Sequence, residues 1–397
     1  MHRIDGANPG PGNTFLEGDV QAGTPRTQIT DDWLNAVQEE VAATVEGAGY
    51  ALSKPDNGQL LAAVRTLARA NGGRRNRLQN GAMIISQRLG TAGSQVLGAA
   101  ASGFNVDRWR YYTGTGGAAT VTKFGAAWSV ASQLAIGSPV HGLEINQSTG
   151  GTGPYLEQRI EGVYSLNGLV CSISFWADLI ALGTGTTLTV TTELVQHFGS
   201  GGSSDVVTAG PSMVIPLAGS GAVRYSGQVT IPSVAGKVWA TAEHHLAVRF
   251  KFPNATTYTL DLTGVQIEEG ATPTAFEYVP LEEELARVQR FYQATGDFLV
   301  ENTLPGQAAE KGSIKVFGSG TDGRPLDQLF RHPMRKTPTV RWYAPSNGAA
   351  DSVDWEAGVR GVTAQFAQTA RSPGYPRVAA SRALSALEAH YTADAEL

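Results

Sequence analysis

Any chemistry in this chain has to come from a few clusters of polar side chains, and their spacing argues against each in turn. His244 and His245 are adjacent in a strand-like run, so their rings point to opposite faces and cannot share one metal ion. Glu268 and Glu269 fail as a glycosidase pair for the same reason. Glu282-Glu283-Glu284 stand where a helix begins, and there negative charge serves the helix dipole. Gly114-Thr115-Gly116-Gly117 and Gly199-Ser200-Gly201-Gly202 lack the Lys-Ser/Thr that follows a phosphate-binding loop. No Gly-x-Ser-x-Gly elbow precedes a helix, and His-Glu-x-x-His is absent. The expectation is a chain that is not an enzyme, with no catalytic residue, metal ligand or cofactor.

Binding asks for less: an exposed aromatic ring for the apolar face of a sugar and planar polar groups for its hydroxyls. In Arg108-Trp109-Arg110-Tyr111-Tyr112, strand alternation puts Trp109 and Tyr111 on one face and Arg110 and Tyr112 on the other. With Trp109 inward, Arg110 and Tyr112 become candidate ligand contacts. Trp342, Tyr343 and Trp355 flank the polar loop from Pro345 to Asp354, a second candidate surface.

These side chains need a β scaffold, and the composition supplies one. The 397 residues include 48 glycines, only 16 % are charged, and Thr, Val, Ser and Ala alternate with glycine as in short strands joined by tight turns. A net charge of −5 disfavours nucleic acid, and Arg74-Arg75-Asn76-Arg77 reads as a solvated linker. The single cysteine, Cys171, excludes an intrachain disulfide and lies in the apolar run Leu169 to Trp176, the setting of a buried thiol. No stretch approaches the length of a membrane span and the N-terminus lacks the pattern of a signal peptide, so assembly in a cytoplasm without membrane insertion is expected.

Only the beginning is helical. Trp33, Val37, Val41 and Val45 recur every fourth residue, with Leu34 and Ala48 beside them, up to Gly47-Ala48-Gly49. Asp56 and Gln59 have the spacing of a capping box for a second helix with Leu60, Leu61, Val64 and Leu67 on its apolar face. An extended Gly/Pro/Thr lead-in precedes them. Two such helices bury little, so their stripe is expected to meet its own copies or a docking protein. Strand candidates then begin at Met83-Ile84-Ile85, Phe104-Asn105-Val106 and Trp109 to Tyr112, and continue through Tyr258 to Glu268. About ten strands at this spacing suggest a jelly-roll sandwich. Leu281, Leu285, Val288 and Tyr292 mark a short helix after Pro280.

Met1-His2-Arg3-Ile4-Asp5, Phe15-Leu16-Glu17-Gly18-Asp19, Gly23-Thr24-Pro25 and Asp32-Trp33-Leu34-Asn35-Ala36-Val37-Gln38-Glu39-Glu40 together resemble the N-terminal attachment segment of tailed-bacteriophage tail fibres. Asn80-Gly81-Ala82-Met83, Gln87-Arg88-Leu89-Gly90 and Val106 to Arg110 are similar to the opening of the carbohydrate-binding-like sandwiches of such fibres, and Val265 to Tyr278 is similar to their closing strand. Arg331 to Val340 and His390 to Leu397 resemble their distal domains.

The resemblance implies a mainly β protein in five parts. These are a virion-attachment segment with two short helices (1–71), a linker (72–77), a jelly-roll sandwich (78–279), a connecting helix (280–295) and a smaller C-terminal β domain (296–397). It implies virion docking through Phe15, Trp33, Leu34, Val37 and Val41, a homotrimer, a baseplate or other virion partner, and adhesion to host polysaccharide or lipopolysaccharide. The product would be a virion protein assembled in the host cytoplasm. A structural head or tail fibre without glycan binding, and a capsule depolymerase, are the competing readings. The absence of a long β-helical repeat counts against the latter.

Overall fold

The computed structural model describes residues 2–71, 74–89, 93–125, 141–217, 221–240, 243–295, 314–317, 324–325, 330–347, 349–355, 358–366, 369–373, 375–378 and 387–396. The chain divides into two compact units, residues 1–75 with 269–272, and residues 76–268 with 273–397.

In the first unit, helix α1 (Asp31–Gly47) starts where the Thr30 hydroxyl accepts from the Trp33 N–H, with Asp31 and Asp32 in the first turn. Helix α2 (Gln59–Asn71) follows a turn unlike the expected capping box. Asp56 accepts from the Gly58 N–H at 2.8 Å, while Gln59 reaches back to Ala51 and Ser53. One side chain closes a local turn and the other ties down the incoming chain. Among its described residues the hairpin buries Val45, Ala48 and Ala63, with Leu67 packed against them, and leaves Leu34, Val41, Leu60, Leu61 and Val64 exposed. The lead-in is not extended. Pairing of Gly10 with Thr14 and of Asp19 with Thr24 folds it back, Gln28 donates to the Ala7 carbonyl, and Trp33 Nε1 donates to the His2 carbonyl at 3.1 Å.

The second unit opens with a jelly-roll sandwich. Its strands are β1 (Ser94–Leu97), β2 (Ser102–Phe104), β3 (Arg110–Tyr112), β4 (Ala118–Gly125), β5 (His141–Thr149), β6 (Tyr155–Glu161), β7 (Val170–Leu182), β8 (Thr187–His197), β9 (Val206–Pro216), β10 (Val223–Thr230), β11 (His245–Lys251) and β12 (Tyr258–Glu269). One sheet runs β1-β4-β5-β12-β7-β10 and the other β2-β3-β6-β11-β8-β9. Between them lies one continuous core that includes Trp109, Tyr111, Leu156, Cys171, Phe175, Val248, Phe250 and Leu260. The inward reading of Trp109 and Tyr111 and the buried Cys171 thiol agree with the pattern of the sequence.

Two segments differ from expectation. Met83-Ile84-Ile85 is not a strand. Asn80, at φ 52°, uses its side chain to bond both backbone groups of Ile85 and the Asp107 carbonyl, so this apolar run is held as irregular chain against the core. Conversely β5 carries no clear apolar period, because one of its inward positions is Gln147. That amide is satisfied in the core by the Tyr111 hydroxyl and the Thr113 carbonyl.

Helix α3 (Leu281–Gln289) follows, and the chain then enters a strand, β13 (Tyr292–Ala294), where a continuing helix was expected. Glu284 is more than N-terminal charge: it is buried and accepts from the Asn80 N–H and from Arg287. The remaining strands are β14 (Ile314–Phe317), β15 (Arg324–Pro325), β16 (Thr339–Tyr343), β17 (Ser352–Trp355), β18 (Gly358–Phe366), β19 (Tyr375–Val378) and β20 (Leu387–Asp394). The last of them is the hub of its sheet, pairing with β13, β14, β16 and β17. Its core holds Phe330, Met334, Val340, Trp342, Val353 and Tyr391.

Two guanidinium groups, half-buried Arg88 and buried Arg108, join β20 and its tail to the sandwich. Arg88 bonds Asp107 at 3.2 Å and Asp394 at 3.0 Å and lies over the Tyr292 ring. Arg108, at φ 73°, pairs with Glu396, bonds Gln79 at 2.9 Å and covers the Phe291 ring. Among the described residues no helix is long and apolar enough to cross a membrane.

Candidate functional site

The outer face of the second sandwich sheet gathers the polar residues. Leu156 on β6, Leu246, Val248 and Phe250 on β11, and Val190 and Leu194 on β8 point into the core, so the alternate positions of each strand point out. Register brings these outward positions into rows. Arg110 lies opposite Glu157, Glu157 opposite Arg249, and Arg249 opposite Glu193, a row of alternating charge across four strands. The next row reads Tyr112, Tyr155, Lys251 and Thr191.

Glu157 is the hub. Its side chain is 1 % exposed and accepts from Arg110 at 3.0 Å, from Arg159 at 2.7 Å and from Arg249. Burial alone would push its carboxyl up, but Arg159, Arg249 and Arg110 outweigh burial and hold it below the usual carboxylate range. Glu193 bonds Lys251 at 3.0 Å and Arg249 at 3.4 Å. The Tyr112 and Tyr155 rings pack 5.2 Å apart, the Tyr155 hydroxyl accepts from Arg110 at 3.0 Å, and the Arg249 guanidinium lies 4.9 Å from the Tyr155 ring centroid.

Four cations, Arg110, Arg159, Arg249 and Lys251, thus meet two anions, Glu157 and Glu193, and the patch is basic within a chain of net charge −5. A planar aromatic pair beside forked donors can hold a sugar ring and an attached carboxylate or phosphate. A cavity of about 10 Å³ at the edge, between Phe104, Arg108, Arg159 and Glu396, has room for one water at most, so a sugar would lie on the open face.

Of the sequence-predicted contacts, Arg110 and Tyr112 stand on this face, both half-buried. Trp342 does not form a surface site. It is fully buried in the C-terminal core with its ring 5.8 Å from Tyr391, because β16 alternates and Trp342 shares its inward face with Val340. Tyr343 is half-buried at the end of β16, where Asp354 closes the following loop by accepting from the N–H and hydroxyl of Ser346. Trp355 ends β17, and its side chain lies outside the described residues. Tyr155, Glu157, Glu193, Arg249 and Lys251 were not singled out by the sequence. The alternation of β6, β8 and β11 marks them as outward, but nothing local marks them as neighbours. Of the docking residues, Phe15, Leu34 and Val41 are exposed, Trp33 and Val37 are half-buried, and the Phe15 ring packs edge-on against Trp33 at 5.1 Å.

The acidic and histidine pairs have structural partners. Glu268 accepts from Gln266 and from the N–H and hydroxyl of Thr274. His245 and His197 are cross-strand neighbours on the outer face, with rings 4.8 Å apart. Burial, with Arg159 and His197 nearby, pushes His245 down to about 4, against the weaker opposing pull of the Glu243 carbonyl and Glu157. A histidine depressed in the native state binds fewer protons there than when unfolded, so stability is present above about pH 6.5 and lost as pH falls toward 4. The loss from this group is on the order of 3 kcal/mol. Denaturation midpoints of His245→Phe and the wild type, measured from pH 4 to 7, should differ in slope, the variant being flatter; parallel curves would refute this assignment.

No known protein-family profile matches the chain. The uncharacterized protein StfP of Escherichia coli strain K12 is 42 % identical over 73 residues, which is 17 % of this chain and 35 % of that protein. The chain therefore matches about a third of that relative's length. Among solved structures, the enzymatically active domain of bacteriophage CBA120 tailspike protein 4 aligns over 49 % of this chain and 21 % of its own, at 13 % identity and a TM-score of 0.28. The CBM22-2 xylan-binding domain of Paenibacillus barcinonensis Xyn10C aligns over 42 % and 94 %, at 18 % identity and a TM-score of 0.29. TmCBM61, solved in complex with β-1,4-galactotriose, aligns over 49 % and 99 %, at 9 % identity and a TM-score of 0.26.

Proposed function

We propose that this chain is an adhesive fibre protein of a tailed-phage virion, assembled in the host cytoplasm, that docks through its N-terminal helical unit and holds host-surface glycan on the outer face of the sandwich. The observation that carries the reading is the tyrosine row beside the alternating charge row on one open sheet face. The excess of cations favours polysaccharide or lipopolysaccharide bearing carboxylate or phosphate groups. Docking is supported by the apolar residues the helical hairpin leaves exposed and by a groove of about 530 Å³ lined by Val41, Ala42, Val45, Leu52 and Leu60. Presentation as a homotrimer would convert three weak sites into avid attachment without any further contact.

Labelled full-length protein is expected to bind cells of a permissive strain, to compete with virion adsorption and to release no reducing ends from capsule. Binding should weaken with added salt and fall at least about tenfold in Tyr155→Ala and in Arg249→Ala. A folded protein that binds no permissive strain would favour a purely structural fibre, and released reducing ends a depolymerase.

A further inference from the structure

A second cluster of rings lies beyond the row of His245 and His197, on the loops that join the sandwich strands. Tyr164, in the β6–β7 loop, and Trp239, in the β10–β11 connection, have centroids 6.2 Å apart with planes inclined by 54°. His244 completes the triangle, 5.6 Å from Tyr164 and 6.4 Å from Trp239. At this spacing and tilt the rings do not cover one another's faces. Tyr164 is 55 % exposed and Trp239 is 42 % exposed, although side chains this large usually bury most of their surface.

The loops that carry them are fixed by their own bonds. His244 Nδ1 accepts from the Val163 N–H at 3.1 Å, Asn167 Oδ1 accepts from the Val234 N–H at 2.7 Å, and the Ala240 N–H donates to the Phe198 carbonyl at 2.9 Å. Ser203 and Val238 exchange two further bonds at 2.7 and 3.0 Å. Val163, Phe198 and Val234, next to these bonds in the chain, form a small buried core. Leu166 and Glu243 hold the left-handed backbone at φ 59° and 70°, a conformation that side chains of this size seldom adopt and that the surroundings must enforce. The platform is therefore set before any ligand arrives, which lowers the ordering cost of binding.

The bond at His244 also settles its chemistry. With Nδ1 accepting, the neutral ring carries its proton on Nε2, a donor with no partner among the described residues. Two exposed rings suit the C–H face of a pyranose and the imidazole N–H suits one of its hydroxyls. The three rings bring no guanidinium, ammonium or carboxylate, in contrast to the basic sheet face.

We propose that Tyr164, Trp239 and His244 form a second carbohydrate site, separate from the sheet face and selective for uncharged sugar residues. The test uses the full-length chain on an array of neutral tetrasaccharides built from glucose, mannose, galactose or N-acetylglucosamine. The wild type is expected to bind at least one of them. Trp239→Ala and Tyr164→Ala should each weaken that binding about tenfold with melting temperature unchanged, Trp239→Phe should retain most of it, and Tyr155→Ala should leave it intact. A wild type that binds none of the array, or binding that survives both alanine variants, overturns the proposal. Cell adhesion that persists in Trp239→Ala and disappears in Tyr155→Ala, with an empty array, would sink this site while leaving the sheet-face reading in place. Array binding lost only in the Tyr164 and Trp239 variants, without cell adhesion, would do the reverse.

Discussion

Glu157→Ala is expected to lower stability by about 3–5 kcal/mol, the cost of removing one partner from a buried ion pair. Three arginines converge on this one carboxylate, whose side chain is 1 % exposed, and without it Arg110, Arg159 and Arg249 would face one another as half-buried like charges. The expected reading is a large drop in the urea midpoint with little change in the slope of the transition. Glu157→Gln keeps the shape and two polar atoms but not the charge, so it should fall between the wild type and alanine. The triple replacement of Glu157, Arg110 and Arg249 by Met should recover part of the loss, because it removes two of the three stranded charges together with their partner and leaves Arg159 without like-charge neighbours from this set. A change of under about 0.5 kcal/mol in Glu157→Ala, the range of ordinary surface substitutions, would show that water solvates these guanidiniums and that the carboxylate is no hub.

The second large effect is expected at the end of the chain. Glu396→Ala removes the carboxylate paired with Arg108, whose side chain is 2 % exposed, and again a cost of about 3–5 kcal/mol follows from the stranded charge. The consequence should be regional. Residues 387–394 are the strand on which β13, β14, β16 and β17 assemble, and Arg88 with Arg108 ties that strand and its tail to the sandwich. Amide exchange in Glu396→Ala should accelerate across the C-terminal sheet while the sandwich core around Phe175 and Phe250 keeps its protection. Equal acceleration in both sheets would mean that they unfold as one cooperative body, and unchanged exchange that the ion pair contributes nothing.

Much of the architecture was legible as period. The four-residue recurrence from Trp33 to Val45 marks α1, and alternation in Arg108 to Tyr112 separates Trp109 and Tyr111, which are core, from Arg110 and Tyr112, which face out. The same rule applied to Thr339 to Tyr343 sends Trp342 inward with Val340, against the surface position suggested by the polar loop that it flanks. β5 escaped notice because Gln147 occupies a core position, and a polar residue satisfied by Tyr111 and Thr113 breaks the apolar pattern without breaking the strand.

Which side chains point out was thus determined by the sequence alone, since a strand has a period of two wherever it lies. Which of them meet was decided only by tertiary structure. Arg110, Glu157, Arg249 and Glu193 form one row because β3, β6, β11 and β8 are spatial neighbours, although that order is not the order of the chain. The same holds for Tyr164, Trp239 and His244, and for Arg108 and Glu396, which meet across 288 residues. Local propensity acts over a few residues, whereas strand order and register are set by the burial of whole sheet faces and by the connections between them.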